Sequence, residues 1–98
     1  LVAEYQPAAT DAVLYHIDLY RLATPVEEAW AFGLDEYLLG DGVCVIEWAE
    51  RIEDALPTER LWIALHHLDA SKRSITMSAQ GYHYDQLLRR FRTAAFGV

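Results

Sequence analysis

Two short stretches hold the side chains best suited to chemistry: YHIDLYRL, residues 15–22, and VCVIEW, residues 43–48. The first sets His16, Asp18 and Tyr20 at alternate positions in a segment rich in β-branched and aromatic residues. A strand sends alternate side chains to opposite faces, so these three share one side. Glu47 closes the second, apolar stretch. When two parallel strands are joined by a crossover, ligands bind at their carboxyl ends, and Asp18 and Glu47 are both expected there. Two acids leaving apolar strands repel each other and are poorly solvated unless a cation lies between them. Magnesium is the natural candidate, since it accepts one or two carboxylates and keeps waters and phosphate oxygens. A plainer reading makes His16, Asp18 and Tyr20 the solvated face of an edge strand and Glu47 an exposed acid capping the next helix.

The elements that must position these residues can be read from pattern. Leu1 to Gln6 and Ala12 to Tyr20 read as a strand hairpin around the turn-forming PAATD. Thr24 then offers an N-cap, Pro25 suits the first helical position, and Glu27 and Glu28 complement the positive helix end, so VEEAWAF predicts a short helix stopped by Gly33. LDEYLL predicts a second helical piece closed by Gly40. After GDG, the short β-branched run VCVIEW has the pattern of a strand buried on both faces. The order is therefore β-α-β. AERIEDAL reads as a helix ended by Pro57, RLWIALHHL and RSITMSAQ as an antiparallel hairpin across DASK, and Tyr84 to Phe96 as an amphipathic helix. Residues 1–98 read as one α/β domain.

Totals narrow the function. With 53% hydrophobic residues in 98, the chain is too apolar for disorder and lacks an apolar run long enough to span a membrane. A net charge of −7 argues against a protein built to coat nucleic acid. The single cysteine, Cys44, lies in an apolar run and reads as a reduced buried thiol, which suits a reducing, cytoplasmic compartment. LVAEYQ has neither the basic start nor the apolar core of a signal peptide. Trp30 and Trp62 read as core or half-buried aromatics. His66 and His67, adjacent on a strand, point to opposite faces and cannot share one metal. Arg89, Arg90 and Arg92 complement a helix end and solvate a surface.

HxDxYRL, followed by GLDEYL and then GDGVCVIEWAERIEDALP, resembles the TsaE (YjeE) family, P-loop ATPases of bacterial tRNA threonylcarbamoyladenosine synthesis. The resemblance runs from Leu1 to about Leu65 and more loosely beyond. It implies a P-loop NTPase-like three-layer sheet with a C-terminal antiparallel hairpin and terminal helix. It also implies a cytoplasmic protein that binds ATP and Mg2+, works with TsaB and TsaD, and meets tRNA only through that complex. Asp18 matches the family's Walker-B-like acid, Glu47 the acid of its EW motif near the metal and γ-phosphate, and Trp48 the tryptophan beside it, at the nucleotide. His16, Tyr20 and Arg21 match further motif positions.

One departure matters. No GxxxxGK[ST] occurs, the only lysine is Lys72, and Gly33, Gly40, Gly42, Gly81 and Gly97 form no phosphate-cradling loop. The expectation is a C-terminal part of a TsaE-like ATPase domain that does not hydrolyse ATP by itself. The alternative is a non-catalytic interaction module that keeps the family's partner-binding surface.

Overall fold

The computed structural model describes residues 1–98. The chain, which reads from its sequence as one domain, divides into two compact units, Leu1–Leu56 and Pro57–Val98.

The first unit is built on three strands: β1 (Val2–Tyr5), β2 (Leu14–Asp18) and β3 (Val43–Glu47), in the order β1-β2-β3. β1 pairs antiparallel with β2, from Val2 opposite Ile17 to Tyr5 opposite Leu14. β2 pairs in parallel with β3, from Leu14 opposite Val43 to Asp18 opposite Glu47. The crossover between them contains α1 (Pro25–Ala31) and α2 (Leu34–Leu39). α1 starts at Thr24 as the sequence predicts, but the threonine side chain does not cap it. Instead Glu28 Oε2 accepts from the Thr24 backbone N–H at 2.8 Å, a carboxylate reaching back from the first turn to the N-cap amide. Gly33, at φ 86°, ends α1 and turns directly into α2, a conformation that costs glycine little.

The core is small and lies on one face of this sheet. Ile17, Leu19, Ala29, Leu34 and Ile52 are its buried members, with Val2, Phe32, Tyr37 and Ile46 packed around them. Helical segments therefore cover the Ile17/Ile46 face. The opposite face, with Ala3, Tyr5, His16, Asp18, Val43, Val45 and Glu47, contributes nothing to the core. This corrects the reading of VCVIEW as buried on both faces: Val43 is 56% and Val45 47% exposed, because β3 is an edge strand with helices on one side only. The reading of β2 as an edge strand is likewise corrected, since β2 is the central strand.

AERIEDAL forms 3-10 turns over Ala49–Ala55 rather than an α-helix, broken at Ile52 (φ −134°, ψ 27°), whose side chain turns into the core. The break reconciles a short polar connector with one obligatory buried anchor.

Close packing makes Gly42 hard to replace. A Cβ there would stand 2.5 Å from Tyr15 Cε2 and 2.9 Å from the Val13 carbonyl oxygen, and backbone cannot step aside as a flexible side chain can. Tyr15 is itself packed edge-on against Tyr37 at 4.8 Å. Gly42→Ala should therefore destabilise the fold by about 1–3 kcal/mol, as overpacking does. Urea unfolding of the two proteins measures it, and an unchanged midpoint would show that the β2 to β3 entry is looser than this.

The second unit is the hairpin β4 (Arg60–Asp69) and β5 (Lys72–Gln80), followed by α3 (Tyr82–Phe96). The strands pair from Arg60 opposite Gln80 to Asp69 opposite Lys72, with a register shift between His67 and Asp69. Asp69 Oδ1 accepts from the Ser71 backbone N–H at 2.8 Å and so closes the turn. α3 begins two residues before the predicted start, directly after Gly81 at φ 94°. Leu65 and Ile75 face each other across the strands and remain exposed, and none of the buried core residues belongs to this unit. No helix of the chain is long and apolar enough to cross a membrane.

Candidate functional site: the acidic crest of the parallel strands

The parallel register sets Asp18 and Glu47, the last residues of β2 and β3, directly side by side. Both are exposed on the open face of the sheet. Neighbouring strands run about 4.8 Å apart, so two like charges share one small patch.

Each carboxylate is steadied by one polar group. Asp18 Oδ1 accepts from the Tyr20 backbone N–H at 2.9 Å, a local turn that fixes the carboxylate against its own chain. His16 lies diagonally across from Glu47 on the same face and brings Nε2 to 3.1 Å from Glu47 Oε1. Their side chains are 37% and 52% exposed, so the contact adds at most about 1 kcal/mol of stability, and its consequence is orientation. No protein donor engages Asp18 Oδ2 or Glu47 Oε2.

The segments leaving the two strands are tied to each other. The Leu19 N–H donates to the Glu47 carbonyl at 3.2 Å, extending the parallel ladder past the acids. Arg51 Nη1 donates to the Leu19 carbonyl at 2.8 Å and to the Tyr20 carbonyl at 2.7 Å. The Tyr20 and Trp48 rings stand 4.8 Å apart, tilted by 42°. Trp48 has φ 61° and ψ 35° and is the only non-glycine residue at positive φ, a conformation that costs about 1 kcal/mol or more. It serves as the hinge by which β3 turns into the 3-10 segment. Tyr20, Arg21, Trp48, Glu50 and Arg51 line an open depression beside the crest.

Chemically, this donor set suits a hard cation. Two adjacent carboxylates, each with a free oxygen, match what Mg2+ takes from a protein while keeping waters and phosphate oxygens. The crest is not a complete cage, since no three His, Cys, Asp or Glu side chains gather to hold a metal unaided. Cys44 adds nothing to it. Its thiol points to the Tyr37 carbonyl at 3.4 Å, and burial raises its pKa, away from the thiolate a nucleophile needs. His66 and His67 lie in the other unit, opposite Ser74 and Arg73.

The structure thus brings together Asp18, Glu47, His16, Tyr20 and Trp48. Sequence reasoning missed Arg51. It lies three residues after Trp48, within GDGVCVIEWAERIEDALP, but the carbonyls it holds lie some thirty residues earlier in the chain.

A parallel strand pair joined by a helical crossover makes the first unit α/β, the class of sheet in which ligands bind at the carboxyl ends of the strands. The family model for the threonylcarbamoyl adenosine biosynthesis protein TsaE matches residues 1–75, and the chain belongs to the TsaE family. It is 46% identical over 74 residues to the tRNA threonylcarbamoyladenosine biosynthesis protein TsaE of Bacillus subtilis (strain 168), covering 76% of this chain and 45% of that protein. It is 42% identical over 78 residues to the TsaE protein of Treponema pallidum (strain Nichols), covering 80% and 55%. The crystal structure of Bacillus subtilis YdiB superposes with a TM-score of 0.75 at 37% identity, covering 96% of this chain and 56% of that one. The chain spans about half the length of the curated relatives it matches.

Proposed function

We propose that this chain supplies the acid-bearing half of a Mg2+-dependent ATP site in tRNA threonylcarbamoyladenosine synthesis. On this reading Asp18 and Glu47 hold the metal, directly or through water, Trp48 lines the nucleotide, and the phosphate-cradling loop comes from outside these 98 residues. The carrying observation is the register of Asp18 beside Glu47 on one open crest, in a chain of the TsaE family.

Electrostatics supports the metal. The first unit holds twelve of the fifteen carboxylates and two of the eight lysines and arginines, so a bare polyphosphate meets like charge. A divalent cation between the acids and the phosphates reverses that sign at close range, and phosphoryl transfer asks the protein chiefly to position and neutralise charge. When bound, the metal neutralises developing charge on the transferring phosphoryl group. The chain's own contribution is to present two oriented carboxylate oxygens there. The partners on this reading are TsaB and TsaD, with ATP turnover keeping their transfer to tRNA cycling in the cytoplasm.

The test uses the full-length protein that carries this sequence, reconstituted with TsaB, TsaD, tRNA and Mg·ATP. Asp18→Asn should lower multiple turnover by about a hundredfold, the scale of losing one electrostatic element of a phosphoryl-transfer site. Turnover within twofold of the parent would sink the assignment. A second reading, a non-catalytic interaction module, is favoured by the absence of GxxxxGK[ST] from the chain. It predicts that Asp18→Asn leaves assembly and modification alike unchanged.

A further inference from the structure

The geometry points to Arg51 as the residue that positions Asp18, acting through the backbone after β2 and not by contact with the nucleotide. This rests on the ATP-site reading above.

The chain of contacts is short. Asp18 takes its orientation from the Tyr20 N–H at 2.9 Å, so the direction of its carboxylate depends on where the peptides of Leu19 and Tyr20 lie. Both carbonyls of that turn are held by one nitrogen, Arg51 Nη1, at 2.8 and 2.7 Å. Tyr20 lies beyond the end of β2, and its carbonyl is held by Arg51 alone, with no backbone partner. Leu19 is completely buried, and besides Arg51 its carbonyl accepts only from the Leu22 N–H, at a longer 3.3 Å, so loss of the guanidinium removes the shorter of its two bonds and water does not replace it at no cost. Arg51 stands in the 3-10 segment that follows Glu47 and Trp48, and Ile52 next to it is anchored in the core. One side chain thereby links the turn that orients Asp18 to the segment that leaves Glu47. The Tyr20 and Trp48 ring contact closes the same connection from the other side. Removing the guanidinium leaves the Leu19–Tyr20 peptide, whose N–H directs Asp18, with only the 3.3 Å bond from the Leu22 N–H on its carbonyl, and so loosens the direction of Asp18 Oδ2.

Groups that orient a metal-holding carboxylate typically account for about 10- to 100-fold in metal affinity or activity. In the full-length protein, Arg51→Ala should raise the Mg2+ concentration that half-saturates binding of a non-hydrolysable ATP analogue by about tenfold. It should lower kcat by a similar factor and leave KM for ATP within about threefold. Arg51→Lys is the discriminating variant. An ammonium has donors enough to reach both carbonyls, so a positioning role is restored to within about threefold of the parent. A guanidinium that grips phosphates in a bidentate fashion is not replaced by lysine.

An unchanged Mg2+ midpoint in Arg51→Ala overturns the inference. So does an Arg51→Lys protein that fails as badly as the alanine variant with KM for ATP raised. Circular dichroism and thermal unfolding confirm that each variant is folded at the assay temperature, and Arg51→Gln takes the place of alanine should that variant not fold. The ATP-site reading fails separately: Asp18→Asn with normal turnover removes that reading, whereas an inactive Asp18→Asn beside a normal Arg51→Ala removes only the role of Arg51.

Discussion

Ile17→Ala should cost about 3–4 kcal/mol of folding stability, among the largest losses a single substitution in this chain can cause. Truncating a buried isoleucine removes its transfer free energy and leaves a cavity, for a combined loss of about 2–5 kcal/mol. Three features put Ile17 in the upper part of that range. It is completely buried, it sits in the central strand, and its backbone neighbours, Val2 on one side and Ile46 on the other, both pack on the same cluster. The cluster has only five buried members, so Ile17 is a large share of the fully buried apolar volume of its unit. Whole domains are stable by about 5–15 kcal/mol, and the loss is a large fraction of that. Val45→Ala is the control. Val45 lies on the open face of the same sheet, 47% exposed, and its truncation should cost less than about 1 kcal/mol. Urea midpoints of the two variants, measured side by side in the full chain, decide the matter. Equal losses would mean that the open face is covered in solution and that the core has been wrongly located.

That contrast between Ile17 and Val45 also marks what the sequence could convey. The strands, the two crossover helices, the hairpin and the terminal helix were legible because each has a strong period or a turn signal of its own: Thr24-Pro25 starts one helix, Gly33 and Gly40 stop two, and DASK closes the hairpin. The placing of Asp18 and Glu47 on one crest followed from a crossover between two parallel strands. What escaped depends on neighbours outside the segment concerned. VCVIEW reads as doubly buried because its composition reports how apolar it is, not which faces other elements cover. AERIEDAL keeps a helical composition, yet its core anchor at Ile52 forces non-helical backbone. Arg51 is one of eight cations, and nothing local says that its partners are the carbonyls of Leu19 and Tyr20. The positive φ of Trp48 is equally silent in sequence, since tryptophan has no preference for that conformation.

Glu47→Gln should separate stability from activity, leaving the first nearly unchanged while the second falls. The amide keeps the shape of the carboxylate and can still offer an oxygen to His16 Nε2, so the local geometry has no reason to change. It removes one of two like charges that the register places side by side, which leaves stability within about 0.5 kcal/mol of the parent or slightly above it. At a Mg2+-dependent nucleotide site the lost charge is the useful one, and turnover of the reconstituted full-length protein should fall by about 10²–10³-fold. The pair is then tested as a unit. If Asp18 and Glu47 serve one metal, the double variant Asp18→Asn/Glu47→Gln should be about as impaired as the worse single variant, because groups that act together lose their effect together. Two independent roles would instead multiply the losses. Stability that drops together with activity in Glu47→Gln would show that the acid is structural, and would return the crest to the plain solvated surface that strand alternation by itself allows.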